Sequence, residues 1–185
     1  MCMMVKKNSN PIQKVLYRPE QLQQRCAQLG RQITRDYQGK HPLVVGVLTG
    51  AMVFMTDLIR QIKLPIQIDF VDASSYFNGT QSTGKVKLVK DTTAPVKGRD
   101  VLIVEDMIDS GHTLKFLKHH FMELGAKSVQ ICVLLDKPQR REVSVDTDYV
   151  GFKIPNVFIV GYGIDYQQRF RNLPYVAALS PLFYK

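Results

Sequence analysis

Two adjacent carboxylates, Glu105 and Asp106, are followed closely by a third, Asp109, and by Ser110, Gly111 and Thr113. The first amides of a helix lack intrahelical partners and lie at the positive end of its dipole, so a small turn at a helix start attracts an anion. Gly111 lets the backbone come close to a ligand, and the Ser110 and Thr113 hydroxyls add donors. A phosphate monoester fits that cradle. Glu105 and Asp106 cannot bind phosphate themselves, because like charges repel. They suit sugar hydroxyls, or a magnesium ion held by one or two carboxylates together with phosphate oxygens. One ligand carrying a phosphate, a diol and a metal would satisfy both halves. The plain alternative is a helix N-cap with acidic neighbours that favour the dipole.

The elements that must hold these groups are legible around them. Residues 101–104 (VLIV) form the short apolar run of a strand buried on both faces. Leu114, Leu117, Phe121 and Leu124 share one face of a following helix, and Gly125 stops it. Upstream, Pro19 and Glu20 open a helix striped by Leu22, Cys26, Leu29 and Ile33. A second buried-strand pattern begins after Pro42 (LVVGVLTGA) and ends in a glycine turn over 46–50. A helix over about 51–62 then buries Met55, Ile59 and Ile62. Strands are predicted at about 66–71, 85–91 and 128–136, with a polar stretch, SSYFNGTQSTG, over 74–84. This alternation argues for an α/β fold with a mainly parallel sheet, whose ligands bind beyond the carboxyl ends of the strands.

Composition narrows the class. A chain of 185 residues, 45% hydrophobic and 22% charged, suits one globular domain over 1–185. It has no apolar run of the roughly 18 residues that span a bilayer, and the opening MCMMVKKNSNPIQK is no signal peptide. Cys2, Cys26 and Cys132 lie far apart, which argues against a disulfide scaffold or a zinc site and for a reducing cytoplasm. None of the four histidines (His41, His112, His119, His120) has metal-ligand spacing with another. The net charge of +9 prefers an anionic partner. Its scatter, as at Lys85, Lys87, Lys90, Arg140 and Arg141, leaves open whether that partner is a nucleic acid or a small polyanion.

The string VLIVEDMIDSGHTL at 101–114 resembles the phosphoribosyl-pyrophosphate (PRPP) loop of type I phosphoribosyltransferases. Its form E-D-x-I-D-S/T-G-x-T-L resembles the hypoxanthine-guanine branch in particular. The resemblance extends over roughly 42–179. It implies a twisted, mainly parallel sheet flanked by helices, with a core at about 40–150 and a small hood from the N-terminal segment and about 151–185. By resemblance, Glu105 and Asp106 orient the ribose hydroxyls and, through water, a magnesium ion. Met107, Ile108, Asp109, Ser110, Gly111, His112 and Thr113 form the ribose-phosphate cradle, with Asp109 as acid/base at the purine N7. Nearby anions are expected to raise the Asp109 pKa.

The turn at 46–50 resembles the pyrophosphate loop, with backbone contacts from Leu48, Thr49 and Gly50 beside a cis bond at Leu48–Thr49. Thr49 stands where the family commonly has Lys or Arg. Ser75 and Tyr76 match a Ser-Tyr pair on a mobile lid. Lys137, Phe158, Ile159, Asp165 and Arg171 match the purine site in order and spacing. Lys137 would donate to the purine O6, Phe158 would stack on the ring, and backbone near Ile159 would read the N1/C2 edge. Asp165 would help hold a second magnesium, and Arg171 would reach the pyrophosphate. An ammonium serves a carbonyl oxygen and not an amino group, which predicts 6-oxopurines over adenine. Read plainly, Phe158 is core and Lys137 a solvated strand end.

The resemblance thus implies a cytoplasmic, magnesium-dependent transferase of purine salvage, making IMP or GMP from hypoxanthine or guanine and PRPP. It implies small-molecule substrates, no nucleic-acid or membrane partner, and a homodimer or homotetramer. The alternatives are a xanthine-preferring transferase and a nucleotide-sensing regulator on the same fold.

Overall fold

The computed structural model describes residues 10–184 apart from 79–80, and for 74–85 the backbone alone. In chain order the elements are β1 (Ile12–Tyr17), α1 (Pro19–Asp36), β2 (Leu43–Leu48), α2 (Met52–Ile59), β3 (Gln67–Asn78) and β4 (Gln81–Lys90). They continue with β5 (Asp100–Ile108), α3 (His112–Glu123), β6 (Ser128–Asp136), β7 (Tyr149–Lys153), β8 (Ile159–Val160) and β9 (Val176–Leu179). Six strands form one sheet in the order β4-β3-β2-β5-β6-β7. All its pairings are parallel except β3 with β4. A second, three-stranded antiparallel sheet runs β1-β9-β8.

The apolar central strands are covered on both faces, and their alternation sorts the core into two layers. Val44, Leu102, Val104, Cys132 and Leu134 pack with Leu22, Leu29 and Ile33 of α1 and Phe54, Met55 and Leu58 of α2. Leu43, Val45, Ile103, Ile131 and Val133 pack with Leu114, Leu117 and Phe121 of α3. Pro19 opens α1, and the Gln21 side chain accepts a hydrogen bond from the Arg18 N–H at 2.9 Å. Cys26 and Cys132 are buried free thiols.

Several boundaries differ from the sequence reading. β5 runs through Glu105 and Asp106 to Ile108, because its ladder to β6 continues at Glu105↔Val133, Met107↔Leu135 and Ile108↔Asp136. The carboxylates therefore belong to the strand and not to the turn. α2 stops at Ile59, and it buries Phe54 and Leu58 beside Met55, leaving Ile59 only partly covered. Ile62 is nevertheless buried, in the turn after the helix. Leu124, expected on the buried stripe, is 41% exposed, because α3 ends at Glu123 and Gly125 turns the chain with φ +82°. The polar stretch at 74–84 extends β3 and β4 and does not form a loop over its whole length.

Asp69 ties the base of the β3–β4 hairpin to the segment leading into β5. Its Oδ2 accepts from the Thr93 N–H (2.7 Å), the Ala94 N–H (2.9 Å) and the Thr93 hydroxyl (3.1 Å), and its Oδ1 from the Phe70 N–H (2.7 Å). Burial pushes this carboxyl up, but the Ala94, Phe70 and Thr93 donors outweigh it and hold the pKa down at about 2. Because the folded group titrates below the ordinary value of 3.8, its contribution is full above that pH and is lost as the pH falls towards 2. Asp69→Asn is expected to cost about 1.5–3 kcal/mol at neutral pH, and the gap from the unsubstituted chain should close below pH 4. Urea unfolding across that range checks it, and a gap that does not change with pH contradicts it.

Candidate active site

The carboxyl ends of β2 and β5, with residues that follow β6, open onto a cavity of about 720 Å³. The 48–50 turn and residues 105–111 line it, with Thr113, Arg140, Glu142, Asp165 and Arg171. A second cavity of about 450 Å³ is lined by Lys137, residues 156–159, Ile164 and Tyr184. The two share Met107, Asp109, Arg140 and Asp165 as lining residues. A ligand spanning both would therefore pass Asp109.

The turn at 109–113 is held from behind. Gly111 caps α3 with φ +93°, a backbone conformation that favours glycine. Residues 138–143 strap across the turn. The Ser110 carbonyl accepts from the Glu142 N–H (2.9 Å) and the Val143 N–H (3.2 Å), and the Asp109 carbonyl accepts from Arg141 Nε (3.1 Å). His112 is not part of the cavity lining, and its ring meets Glu142 Oε2, whose residue is, at 2.9 Å.

The 48–50 turn contains a cis peptide at Leu48–Thr49. A Cβ at Gly50 would collide with Asp106 Oδ2, so glycine is what lets the carboxylate lie against this turn. Thr49 is exposed and brings no cation to the cavity; Arg171 does.

Glu105 and Asp106 share a crowded negative corner. Burial, then the charge of Asp106, raises the Glu105 pKa well above the ordinary carboxylate value. Burial also raises Asp106, against hydrogen bonds from Glu105 and the Met107 backbone and the Arg171 charge, which lower it. Such a pair gains from a bound cation. Among the described residues no three His, Cys, Asp or Glu side chains form a metal cage. The oxygen-only pair instead fits magnesium, which one or two carboxylates hold together with substrate phosphates. Asp165 is already engaged: Oδ1 pairs with Arg171 Nη2 at 2.9 Å and Oδ2 accepts from the Gln168 N–H at 2.7 Å.

The charge nearest Asp109 is positive, contrary to the anionic neighbourhood expected from sequence. Arg140 Nε lies 3.1 Å from Asp109 Oδ1. Lys137 is no solvated strand end. It is 7% exposed and lines the second cavity, and burial lowers its pKa while Asp109 pulls it back up and Arg140 lowers it again. Phe158 is not core either: at 37% exposure it forms an aromatic wall, stacked on Tyr184 (4.9 Å, 27°) and edge-on to Tyr166 (5.4 Å, 88°). Ile159 is buried beside it. Ser75 and Tyr76 belong to β3, and their side chains lie outside the described residues, as do 79–80 between the two strands.

Arg140, Glu142, Asn156, Val157 and Tyr184 join the lining without having been singled out from sequence. The Arg140–Arg141 pair so soon after Lys137 was a usable signal, since basic residues at a strand's carboxyl end face any ligand there. Tyr184 carries no motif.

Residues 13–167 match the model of the phosphoribosyl transferase domain family. The chain is 54% identical over 175 residues to a bifunctional TilS/HprT protein of Listeria innocua, covering 95% of this chain but only 27% of that protein. It is 49% identical to a hypoxanthine-guanine phosphoribosyltransferase of Bacillus subtilis, covering 94% of this chain and 97% of that one. A hypoxanthine phosphoribosyltransferase crystal structure from Staphylococcus aureus superposes with a TM-score of 0.92 at 45% identity, over 97% of this chain and all of that one.

The cavity floor depends on a glycine contact. Gly163 has φ +100° and rests on the Gly50 carbonyl, where a Cβ would collide. Gly163→Ala should therefore cost about 2 kcal/mol or more. An unchanged denaturant midpoint would show that the two loops are not in this contact.

Proposed function

The chain belongs to the phosphoribosyltransferase family, and we propose on that footing that it joins hypoxanthine or guanine to the ribose of PRPP, giving IMP or GMP and pyrophosphate. The observation that carries this reading is the meeting of the two cavities at Asp109. One cavity offers hydroxyls, turn amides and a carboxylate pair, which suits a phosphorylated sugar. The other offers a buried ammonium and an exposed aromatic face, which suits a 6-oxopurine.

Ser110, Gly111 and Thr113 hold the 5′-phosphate at the start of α3, and that binding energy positions the reacting carbon. Glu105 and Asp106 orient the ribose hydroxyls. The amides of the 48–50 turn, with Arg171, receive the pyrophosphate. Lys137 donates to the purine O6, Phe158 stacks on the ring, and the backbone near Ile159 meets the N1/C2 edge. The purine N9 attacks C1′ with inversion while pyrophosphate leaves. Asp109 takes or returns the N7 proton, and Arg140 pairs with it at 3.1 Å beforehand. Glu105 and Asp106 would hold one magnesium ion, and Asp165 would help hold a second once Arg171 turns to the pyrophosphate. When bound, magnesium supplies neutralisation of the charge that builds on the leaving group.

Among the described residues no helix is long and apolar enough to cross a membrane. We place the protein in the cytoplasm, as a homodimer or homotetramer acting on small molecules.

Incubation with PRPP, magnesium and hypoxanthine should yield IMP and pyrophosphate, and chelation by EDTA should stop the reaction. Asp109→Ala is expected to lower turnover by about 10²–10⁴-fold with little change in PRPP affinity. Ser110→Ala should instead raise the KM for PRPP. Unaltered turnover in Asp109→Ala would remove that residue from the proton transfer.

A further inference from the structure

Tyr162 takes no part in the mechanism above, yet it is a buried, positive-φ residue of the loop that carries Asp165 and Arg171. It is 5% exposed and adopts φ +52° between Gly161 at +98° and Gly163 at +100°. A bulky aromatic residue in the left-handed region is uncommon and persists only where its surroundings hold it. Here the backbone is held by the Tyr162 N–H donating to the Leu173 carbonyl at 2.8 Å, and the side chain by its hydroxyl. The hydroxyl donates to Asp57 Oδ2 at 2.6 Å and lies 3.6 Å from the Cys26 thiol, so the loop is tied to α2 and to α1. Burial, then the hydrogen bond to Asp57, raises the Tyr162 pKa, so the phenol stays a donor.

The consequences run outward on both sides of this anchor. α2 begins directly after the 48–50 turn, so its Asp57 reports the position of that turn. On the loop side, the next residue, Gly163, rests on the Gly50 carbonyl and accepts from Arg171 Nη1 at 2.8 Å. Arg171 in turn pairs with Asp165. One hydroxyl thus couples the amides of the 48–50 turn to the guanidinium across the cavity.

We propose that the Tyr162 hydroxyl, through Asp57, is a positioning group that sets Arg171 against the 48–50 turn and so tunes recognition of pyrophosphate. The inference rests on the transferase reading, which makes that side of the cavity the pyrophosphate end. It assigns to Tyr162 an effect mainly on the pyrophosphate half of the reaction, because the chain of contacts runs to Arg171 and stops at Asp165 on the shared rim, including neither Lys137 nor Phe158.

The test combines calorimetric titration of the full chain with magnesium pyrophosphate, steady-state kinetics and urea unfolding. Tyr162→Phe keeps the ring and removes the hydroxyl, and Asp57→Ala removes its acceptor. Both should weaken pyrophosphate binding and raise the KM for PRPP by about tenfold, with the KM for hypoxanthine unchanged. Asp57→Asn keeps an acceptor oxygen and should behave like the unsubstituted chain. The double variant Tyr162→Phe/Asp57→Ala should be no worse than either single one. A lowered urea midpoint with unaltered pyrophosphate affinity, or equal losses for PRPP and hypoxanthine, overturns the inference alone. Absence of pyrophosphate binding by the unsubstituted chain overturns the transferase reading, and the inference with it.

Discussion

Negative charge gathered at the end of β5 is the constraint from which the rest of the site follows. Glu105 and Asp106 are neighbours at the end of the strand and raised by burial, and Asp109 lies just beyond them. Such a corner is tolerated only if cations arrive from elsewhere. Two segments bring them. The stretch after β6 supplies Lys137, Arg140 and Arg141, and the loop after β8 supplies Arg171. The parallel pairing of β5 with β6 makes the first delivery inevitable, because it puts both carboxyl ends on the same edge of the sheet.

The second delivery depends on close backbone approach. Gly50 lies against Asp106, and Gly163 lies against Gly50, at distances that leave no room for side chains. Three layers of chain are stacked there, and each glycine transmits the position of one to the next. The strap of residues 138–143 does the same for the 109–113 turn, through the Ser110 and Asp109 carbonyls. The site is thus pre-shaped by backbone hydrogen bonds, with ion pairs such as Arg140–Asp109 and Arg171–Asp165 standing where substrate charges would enter. The net charge of +9 agrees with attraction of a polyanionic sugar phosphate.

The α/β alternation and the glycine turn that starts α3 were readable from sequence because each rests on local rules: apolar runs for doubly buried strands, and Gly with hydroxyls at a helix start. The extension of β5 was not, since Glu105 and Asp106 end the apolar run while the ladder with β6 continues beyond it. Lys137 and Phe158 were ambiguous for the opposite reason. A lysine ending a strand reads as solvated and a phenylalanine reads as core, and only the tertiary fold inverts both, leaving the lysine buried and the ring in the open. Position in the chain showed even less for Tyr184, whose ring meets Phe158 from the far end of the sequence. Arg140 stands in plain view in the sequence, but nothing there distinguishes it from the scattered charge around it.

On the proposed reading, the buried Lys137 ammonium selects the purine. The most direct measurement is an ultraviolet assay of the purified protein with PRPP and magnesium, offering hypoxanthine, guanine, xanthine and adenine separately. Turnover of hypoxanthine or guanine, with none of adenine, is the predicted result. Turnover of adenine would contradict the role given to Lys137, and PRPP binding without turnover of any base would contradict the transferase itself.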